Sequence, residues 1–222
     1  DIAQCLVGSE MCIRDSVKGC DNLEKICTVA KELGIKYLTV YAFSTENWKR
    51  SREEVDGLMK LFRNYMKKCI KISRDNKMRV RVIGDPRAFD QDLQDRIREL
   101  EEYSSQFDEL HFQIALNYGS RDEITRAVRH MAEDVKKGTL SPEDITEDTI
   151  SGYLDTRGLP DPDLLIRTSG EERLSNFLMW QLAYTEFYFT DVAWPDFDKA
   201  EFVKAIEKYN KRDRRYGGVK ED

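Results

Sequence analysis

The sequence predicts an α/β protein: a single domain with a central, mainly parallel sheet flanked by helices. Three observations predict this fold class. Strand-like apolar segments alternate along the chain with segments of helical periodicity, as in β–α–β units. A chain of 222 residues with 40% hydrophobic content suits one globular domain. Polar clusters follow the carboxyl ends of four predicted strands, which is where such sheets bind ligands.

The elements follow from local patterns, taken in chain order. Residues 20–33 place apolar side chains at helical spacing and are followed by Gly34, which predicts a helix and its end. Residues 35–43 (IKYLTVYAF) are β-branched and aromatic and predict a strand. The apolar face of residues 55–69, opposite Lys and Arg, predicts a second helix. Further strands are predicted at 78–83, 110–116, 164–168 and 186–189, and further helices at 91–103, 121–135, from Ser141, across 177–184 and at 199–209.

Residues 1–18 do not share this pattern. They have no clear period, and the run from Cys5 to Asp15 resembles translated adaptor sequence. We therefore interpret residues 1–18 as a non-native segment and residues 19–222 as the domain, truncated at its N-terminus. Loss of a first strand predicts an open edge or gap in the sheet.

Composition and charge argue against several classes of function. A formal net charge of −6 argues against nucleic acid as the main partner. No apolar run reaches the roughly 18 residues of a membrane span, and no cleavable signal is visible, which predicts a cytoplasmic protein with at most peripheral membrane contact. Five cysteines without CxxC spacing predict reduced thiols.

Motifs for several other chemistries are missing from the sequence. No GxGxxG follows a strand and no GxxxxGK[ST] occurs, which argues against dinucleotide and P-loop sites. His111 and His130 are not next to an acid or a thiol, so a hydrolase triad has little support. Asp161 and Asp163 could form a DxD metal site, but they lie at the amino end of their strand, and a strand-opening loop is the favoured interpretation.

The clearest functional signal lies between Asp161 and Phe197. The strand in this stretch runs into residues 167–170, Arg-Thr-Ser-Gly, which offer a guanidinium, hydroxyls and backbone N–H groups at one point. Arg173 and Ser175 follow closely, and this combination is typical of a phosphate site. Many aromatic residues come next, and the helix at 55–69 is rich in Met and aromatics. The sequence therefore predicts a phosphorylated ligand with an apolar body.

Two stretches carry a resemblance to a known family. YAFSTENWKRSREEV (Tyr41 to Val55) and DLLIRTSGEERLSNFLMWQLAYTEFYFTDVAWPDF (Asp163 to Phe197) closely resemble the cis-prenyltransferases, and among them the bacterial undecaprenyl diphosphate synthases. The similarity extends from about Gly19 to Gly218. It implies a Mg²⁺-dependent homodimer that condenses isopentenyl diphosphate onto an allylic diphosphate such as farnesyl diphosphate. The product would be a long polyprenyl diphosphate with new cis double bonds, a lipid precursor of the cell wall.

The resemblance also assigns the isopentenyl and metal sites by position. Arg167, Arg173 and Ser175 match the residues that hold the diphosphate of isopentenyl diphosphate, and Leu174 lies between them. This assignment agrees with the phosphate site read from the residues, because arginine forks suit diphosphate oxygens. Glu186 matches a carboxylate that helps to bind Mg²⁺, a cation that prefers oxygen ligands.

A second set of assignments falls on the loop after residues 35–43. The resemblance gives a substrate-contacting role to Phe43, Ser44, Thr45, Glu46, Trp48 and Arg50. Asn47 matches a catalytic residue that assists proton removal. Because a neutral amide is a poor base, we expect Asn47 to orient the diphosphate, which can take the proton itself. Glu54 matches an acid that anchors the loop, and the basic tail at 214–217 resembles one that reaches the partner subunit's site.

One motif of the family is absent. Its Asp-Gly-Asn-Gly-Arg-Trp stretch, which binds Mg²⁺ and holds the allylic diphosphate, should precede Gly19, and residues 1–18 do not match it; Ser16 replaces a family His. We therefore expect this chain to bind isopentenyl diphosphate weakly without useful elongation. One alternative is a non-catalytic partner subunit of the same fold, although such relatives tend to lose the Trp48 loop and the arginine set. A phosphosugar enzyme is another alternative, which leaves the aromatic helix unexplained.

Overall fold

A single six-stranded sheet organises the part of the chain that the computed structural model describes, residues 3–7 and 13–211, with side chains from residue 18. Its strand order is β3-β4-β2-β1-β5-β6, and every neighbouring pair is parallel. The mainly parallel sheet predicted from the sequence is confirmed. The strands are β1 (Ala3–Val7), β2 (Tyr37–Ser44), β3 (Met78–Ile83), β4 (Leu110–Tyr118), β5 (Leu164–Arg167) and β6 (Glu186–Phe189).

Helices connect these strands, and their ends follow from local chemistry. At the start of the second helix, the hydroxyl of Ser51 accepts from the Glu54 N–H at 3.3 Å, and the Glu54 carboxylate accepts from the Ser51 N–H at 3.2 Å. None of the described helices is long and apolar enough to cross a membrane. The α-helices are α1 (Ile13–Glu32), α2 (Arg52–Asn76), α3 (Gln91–Ser104), α4 (Ser120–Lys137), α5 (Glu147–Tyr153) and α6 (Lys199–Asn210).

The apolar core lies on both faces of the sheet because side chains of a strand alternate between its faces. Ile114 and Leu116 of β4 belong to the larger cluster, which includes residues of α1, α2, α3 and α6. Ala115, between them, belongs to a smaller cluster with Phe177 and Leu178. Helices therefore cover one face of the sheet, whereas the chain after β5 covers part of the other face.

The middle of α1 is bound by hydrogen bonds to the segment that follows β6. Asn22 is buried, and its Nδ2 donates to the backbone oxygens of Trp194 at 2.7 Å and Phe197 at 2.9 Å. In return the indole Nε1 of Trp194 donates to the Gly19 oxygen at 3.1 Å. These buried hydrogen bonds fix the first described side chains of α1 against the sheet, where they form one wall of the site.

The sequence pattern predicts a gap where a first strand is missing, and this prediction is wrong. Ala3–Val7 forms the strand between β2 and β5, with Val7 beside both Tyr41 and Arg167. The run AQCLV does not alternate between apolar and polar residues, so pattern reasoning does not detect this strand. The interpretation of residues 1–18 as non-native stays a prediction.

The helix predicted across 177–184 is also wrong, because the chain makes successive turns there. Ser175, Asn176 and Leu178 have positive φ values of 50°, 61° and 44°, which an α-helix does not allow. These turns let Phe177 and Leu178 both become buried, at 0% and 2% exposure. Close to Ser141, the structure places a 3₁₀ turn at Pro142–Asp144, before α5.

Candidate active site

A cavity of about 650 Å³ lies beside the carboxyl ends of β2 and β5. Its walls come from the middle of α1, from β2, from α2 and from the loops after β2 and β5. Part of the lining is apolar and another part is polar, and four of the five charged side chains named below are cationic. The apolar part includes Leu23, Val40, Phe43, Leu58, Leu61, Phe62 and Trp194, and the polar part includes Ser44, Glu46, Asn47, Lys49, Arg50, Arg167, Arg173, Ser175 and Asn176.

Arg167 is the most unusual side chain of this lining. It ends the fully buried strand β5 and is only 3% exposed. Its Nε is buried without a hydrogen-bond partner, and its Nη2 donates to the Ser175 hydroxyl at a long 3.5 Å. Burial lowers the pKa of Arg167, and the nearby charge of Arg173 lowers it further. A buried cation with so little compensation is costly, and an anion bound at this point would relieve the cost.

Arg173 and Ser175 lie on the turn after β5 and face the same cavity. Arg173 is exposed over 59% of its side chain and pairs with Glu171. The backbone N–H groups expected to join this site are not available. Those of Ser169 and Gly170 donate to the carbonyl oxygens of Val192 and Thr190, both at 2.9 Å. Side chains of the described residues, rather than a backbone cradle, therefore supply this anion site.

The loop after β2 forms a 3₁₀ turn, Thr45–Lys49. Asn47 stabilises it, since its Oδ1 accepts from the Ser44 N–H at 2.8 Å. Trp48 is directed elsewhere: its Nε1 donates to Asn117 Oδ1 at 2.7 Å, and its ring packs against Phe43 and Phe89 at 5.1 and 5.8 Å between centroids. Trp48 thus fixes the loop to the end of β4.

Glu46 connects the same loop to the turn after β5. Its Oε1 accepts from Nδ2 of Asn176 at 2.9 Å, and its Oε2 accepts from the Thr45 hydroxyl at 3.2 Å. Burial acts to raise the pKa of Glu46, but hydrogen bonds, led by the one from Asn176, outweigh it and the net pKa is lowered. Glu46 is therefore held as a carboxylate in this contact.

The structure brings most of the predicted site residues together. Eight of them line the cavity: Phe43, Ser44, Glu46, Asn47, Arg50, Arg167, Arg173 and Ser175. Thr45 and Trp48 lie outside its lining, and Leu174 packs against the smaller apolar cluster. Sequence reasoning missed Lys49 and Asn176 as lining residues, although each is adjacent in sequence to a residue that it identified.

Glu186, the predicted metal ligand, lies elsewhere in the sheet. It begins β6 and is paired with Leu164 at the amino ends of the strands, whereas Arg167 pairs with Phe189 at the carboxyl ends. Over the residues whose side chains are described, no group of three or more His, Cys, Asp or Glu could hold a metal ion. The basic tail predicted at 214–217 lies outside the described residues.

Comparison with known proteins decides the family. The family model Prenyltransf, described as "Putative undecaprenyl diphosphate synthase", matches residues 12–217. The chain belongs to the cis-prenyltransferases. It is 52% identical over 202 residues to an isoprenyl transferase of Geobacillus kaustophilus, covering 91% of this chain and 79% of that protein. It is also 52% identical over 204 residues to an isoprenyl transferase of Fusobacterium nucleatum, covering 92% and 86%.

Solved structures of this cis-prenyltransferase fold agree with the assignment. A lavandulyl diphosphate synthase from Lavandula x intermedia, in complex with dimethylallyl diphosphate, is 35% identical with a TM-score of 0.93. The match covers 97% of this chain and 98% of that one. A probable undecaprenyl diphosphate synthase from Campylobacter jejuni is 30% identical with a TM-score of 0.83, covering 98% and 99%.

Proposed function

We propose that this cis-prenyltransferase condenses isopentenyl diphosphate onto an allylic diphosphate, farnesyl diphosphate in particular, to make a long-chain polyprenyl diphosphate. One observation carries the proposal: the buried guanidinium of Arg167, whose Nε has no hydrogen-bond partner, lines a cavity that also has apolar walls. A diphosphate with a hydrocarbon body has the matching chemistry. It would bring the anion to Arg167 and the apolar chain to the rest of the lining.

The isopentenyl diphosphate head binds to Arg167, Arg173 and Ser175 in this proposal. Hydrogen bonds between guanidinium groups and phosphate oxygens are charge-assisted and can be bidentate, which makes them roughly twice as strong as neutral ones. Arg167 is already desolvated in the folded protein, so part of the desolvation cost is met before the ligand arrives. Arg173 is exposed and can adjust to the second phosphate group.

The apolar walls hold the prenyl chain and exclude water from the reacting ends. Phe43 and Phe62 pack edge to face, 5.8 Å between ring centroids, and Leu58 and Leu61 lie on the same helix as Phe62. Burial of hydrocarbon contributes about 0.8 kcal/mol per CH₂ group, so a five-carbon unit contributes on the order of 4 kcal/mol. Each five-carbon unit added during elongation is thus stabilised by burial against the apolar wall formed by β2 and α2.

Asn47 orients a diphosphate in this proposal and does not act as the base. Its Oδ1 already accepts from the Ser44 N–H, so its Nδ2 is the group it offers to the cavity. An amide nitrogen donates a hydrogen bond and does not take a proton at neutral pH. The departing diphosphate is then the acceptor of the proton lost from isopentenyl diphosphate.

Three further properties follow from the family resemblance. We propose Mg²⁺ dependence, checked by loss of turnover in EDTA and its return on adding Mg²⁺. A homodimer is expected in analytical ultracentrifugation. We expect the protein to be cytoplasmic. Peripheral membrane contact is the most that we expect, and the reason to expect any is that the product is a lipid. Recovery of the protein only in detergent extracts, after a salt wash, would contradict that location.

Turnover by the chain as written is the decisive experiment. The assay measures labelled isopentenyl diphosphate incorporated into extractable polyprenyl diphosphate with farnesyl diphosphate as primer. A version whose residues 1–18 are replaced by a family-type segment containing Asp-Gly-Asn-Gly-Arg-Trp serves as the matched comparison. We expect turnover by the replaced version and little by the chain as written, because the cradle for the allylic diphosphate is missing.

Each other outcome has a clear meaning. Robust turnover by the chain as written would show that the missing motif is not needed. Binding of isopentenyl diphosphate without turnover by either version would favour the alternative, a non-catalytic partner subunit. Absence of binding by both versions would overturn the assignment of the isopentenyl site.

A further inference from the structure

Asn176 lies where three parts of the molecule meet. It follows Ser175 on the turn after β5 and lines the cavity. Its Nδ2 donates to Glu46 Oε1 at 2.9 Å, which connects it to the loop after β2. Its Oδ1 accepts from the Arg121 N–H at 2.9 Å, and its backbone oxygen accepts from the Ser120 N–H at 2.7 Å. The three partner groups thus come from segments that are distant in sequence from Asn176.

The surroundings of Asn176 leave little freedom for this arrangement to shift. Its φ is 61°, a left-handed conformation that asparagine tolerates better than most residues. Gly119 lies directly against the contact: a Cβ atom there would come within 2.6 Å of the Thr45 hydroxyl and 2.7 Å of Asn176 Nδ2. The loop after β2, the turn after β5 and the start of α4 are therefore packed together at this residue.

We propose that Asn176 is a positioning residue that holds the diphosphate-binding turn, with Arg173 and Ser175, in register with the loop after β2 through its contact with Glu46. The inference deepens the proposed function and rests on it for its ligand. Asn176 acts through its neighbours in this role. Its two side-chain atoms have separate tasks, since Oδ1 caps α4 and Nδ2 holds the loop.

The substitution Asn176→Asp separates these two tasks. An aspartate keeps an oxygen for the Arg121 N–H, and a negative charge is favourable at the N-terminus of a helix. It loses the donor to Glu46 and places one carboxylate against another. We expect N176D to retain the melting temperature within about 3 °C. We expect its affinity for isopentenyl diphosphate, measured by calorimetry, to fall about thirtyfold.

Rescue supplies a readout that a merely structural role would not give. E46Q alone keeps an oxygen for Asn176 Nδ2, and its affinity is the reference with which the double variant is compared. In the N176D background, E46Q restores a donor and removes one of the two facing charges, so it should recover most of the lost affinity. Additive losses in the double variant would overturn the inference, as would N176D binding isopentenyl diphosphate as tightly as the unmodified chain.

A ligand-free measurement keeps the inference separable from the proposed function. Amide hydrogen exchange of the segments 45–49 and 173–176 should be at least about tenfold faster in N176D than in the unmodified chain, and E46Q should reverse the change. Unchanged exchange in N176D would refute the positioning role even if no diphosphate binds. If exchange responds while the unmodified chain fails to bind isopentenyl diphosphate, the proposed function fails and the positioning role stands.

Discussion

Replacing Arg167 by methionine should make the protein more stable while removing its ligand. The guanidinium is 3% exposed, has a buried Nε without a partner and is repelled by Arg173. Burying an ion costs several kcal/mol even after relaxation. Glu171 is the carboxylate whose charge acts on Arg167, but it is itself paired with Arg173. Methionine is shorter than arginine, but it is unbranched, flexible and uncharged, so it fills most of the space without that cost.

The expected magnitudes follow from these contacts. We predict that Arg167→Met raises the free energy of unfolding by about 1–3 kcal/mol. For a chain of this size, that corresponds to a rise of about 2–12 °C in melting temperature. The affinity for isopentenyl diphosphate should fall by about 2–4 kcal/mol, roughly 30- to 1,000-fold, because a charge-assisted fork is lost. Thermal unfolding without ligand and titration calorimetry measure the two effects independently.

Arg173→Met is the matched control. Its side chain is 59% exposed and already paired with Glu171, so the substitution should leave the free energy of unfolding within about 0.5 kcal/mol. It should still weaken ligand binding. The reasoning is refuted if Arg167→Met lowers the melting temperature and binds isopentenyl diphosphate normally, since Arg167 would then be a structural residue.

Three further predictions test the loop, the close packing and the thiols. Asn47→Asp keeps the oxygen that accepts from the Ser44 N–H but turns the donor into a carboxylate, so calorimetry should show isopentenyl diphosphate bound at least about tenfold more weakly; unchanged binding would exclude the orienting role. Gly119→Ala should lower the free energy of unfolding by about 1–3 kcal/mol in urea titrations, because its Cβ would meet other atoms at 2.6 Å, and an unchanged midpoint would contradict this. Burial raises the pKa of Cys20 from 9.0 to about 11 and that of Cys69 to about 12. The thiols of the unfolded chain ionise at a lower pH than the buried thiols do. The contribution of these buried thiols to the free energy of unfolding is therefore complete below pH 9 and is lost as pH rises through about 11 to 12. A free energy of unfolding that increases over this range would contradict the burial of these thiols.

Elements with a strong period could be predicted from the sequence. β3 (Met78–Ile83) and β6 (Glu186–Phe189) have the predicted bounds, and α2 extends the predicted helix at both ends. The predicted helix after β5 failed for a physical reason. Its apolar residues do follow a helical spacing, but Leu178 has a φ of 44°, which an α-helix does not allow. Tertiary packing overrode the local pattern there.

The candidate site was predictable where its chemistry is contiguous in the sequence. Arg167, Arg173 and Ser175 lie within nine residues, and one strand end brings them together. Contacts between distant segments could not be read from the sequence. The bond from Trp48 to Asn117 depends on β2 and β4 being neighbours in the sheet, and this bond directs the indole away from the cavity lining. Glu186 was placed by motif alone, and sheet register puts it at the opposite edge.

The loop after β2 is held from two sides by asparagines with the same unusual backbone conformation. Asn117 has a φ of 47° and accepts from Trp48, and Asn176 has a φ of 61° and donates to Glu46. A short amide suits both places, because it tolerates the left-handed conformation and can bond to a neighbouring segment. The polar part of the cavity is thus organised by strand ends and amides, whereas its apolar part is organised by α2. Affinity for the diphosphate and affinity for the hydrocarbon chain should therefore respond to different substitutions, the first to changes in these amides and the second to changes in the apolar face of α2.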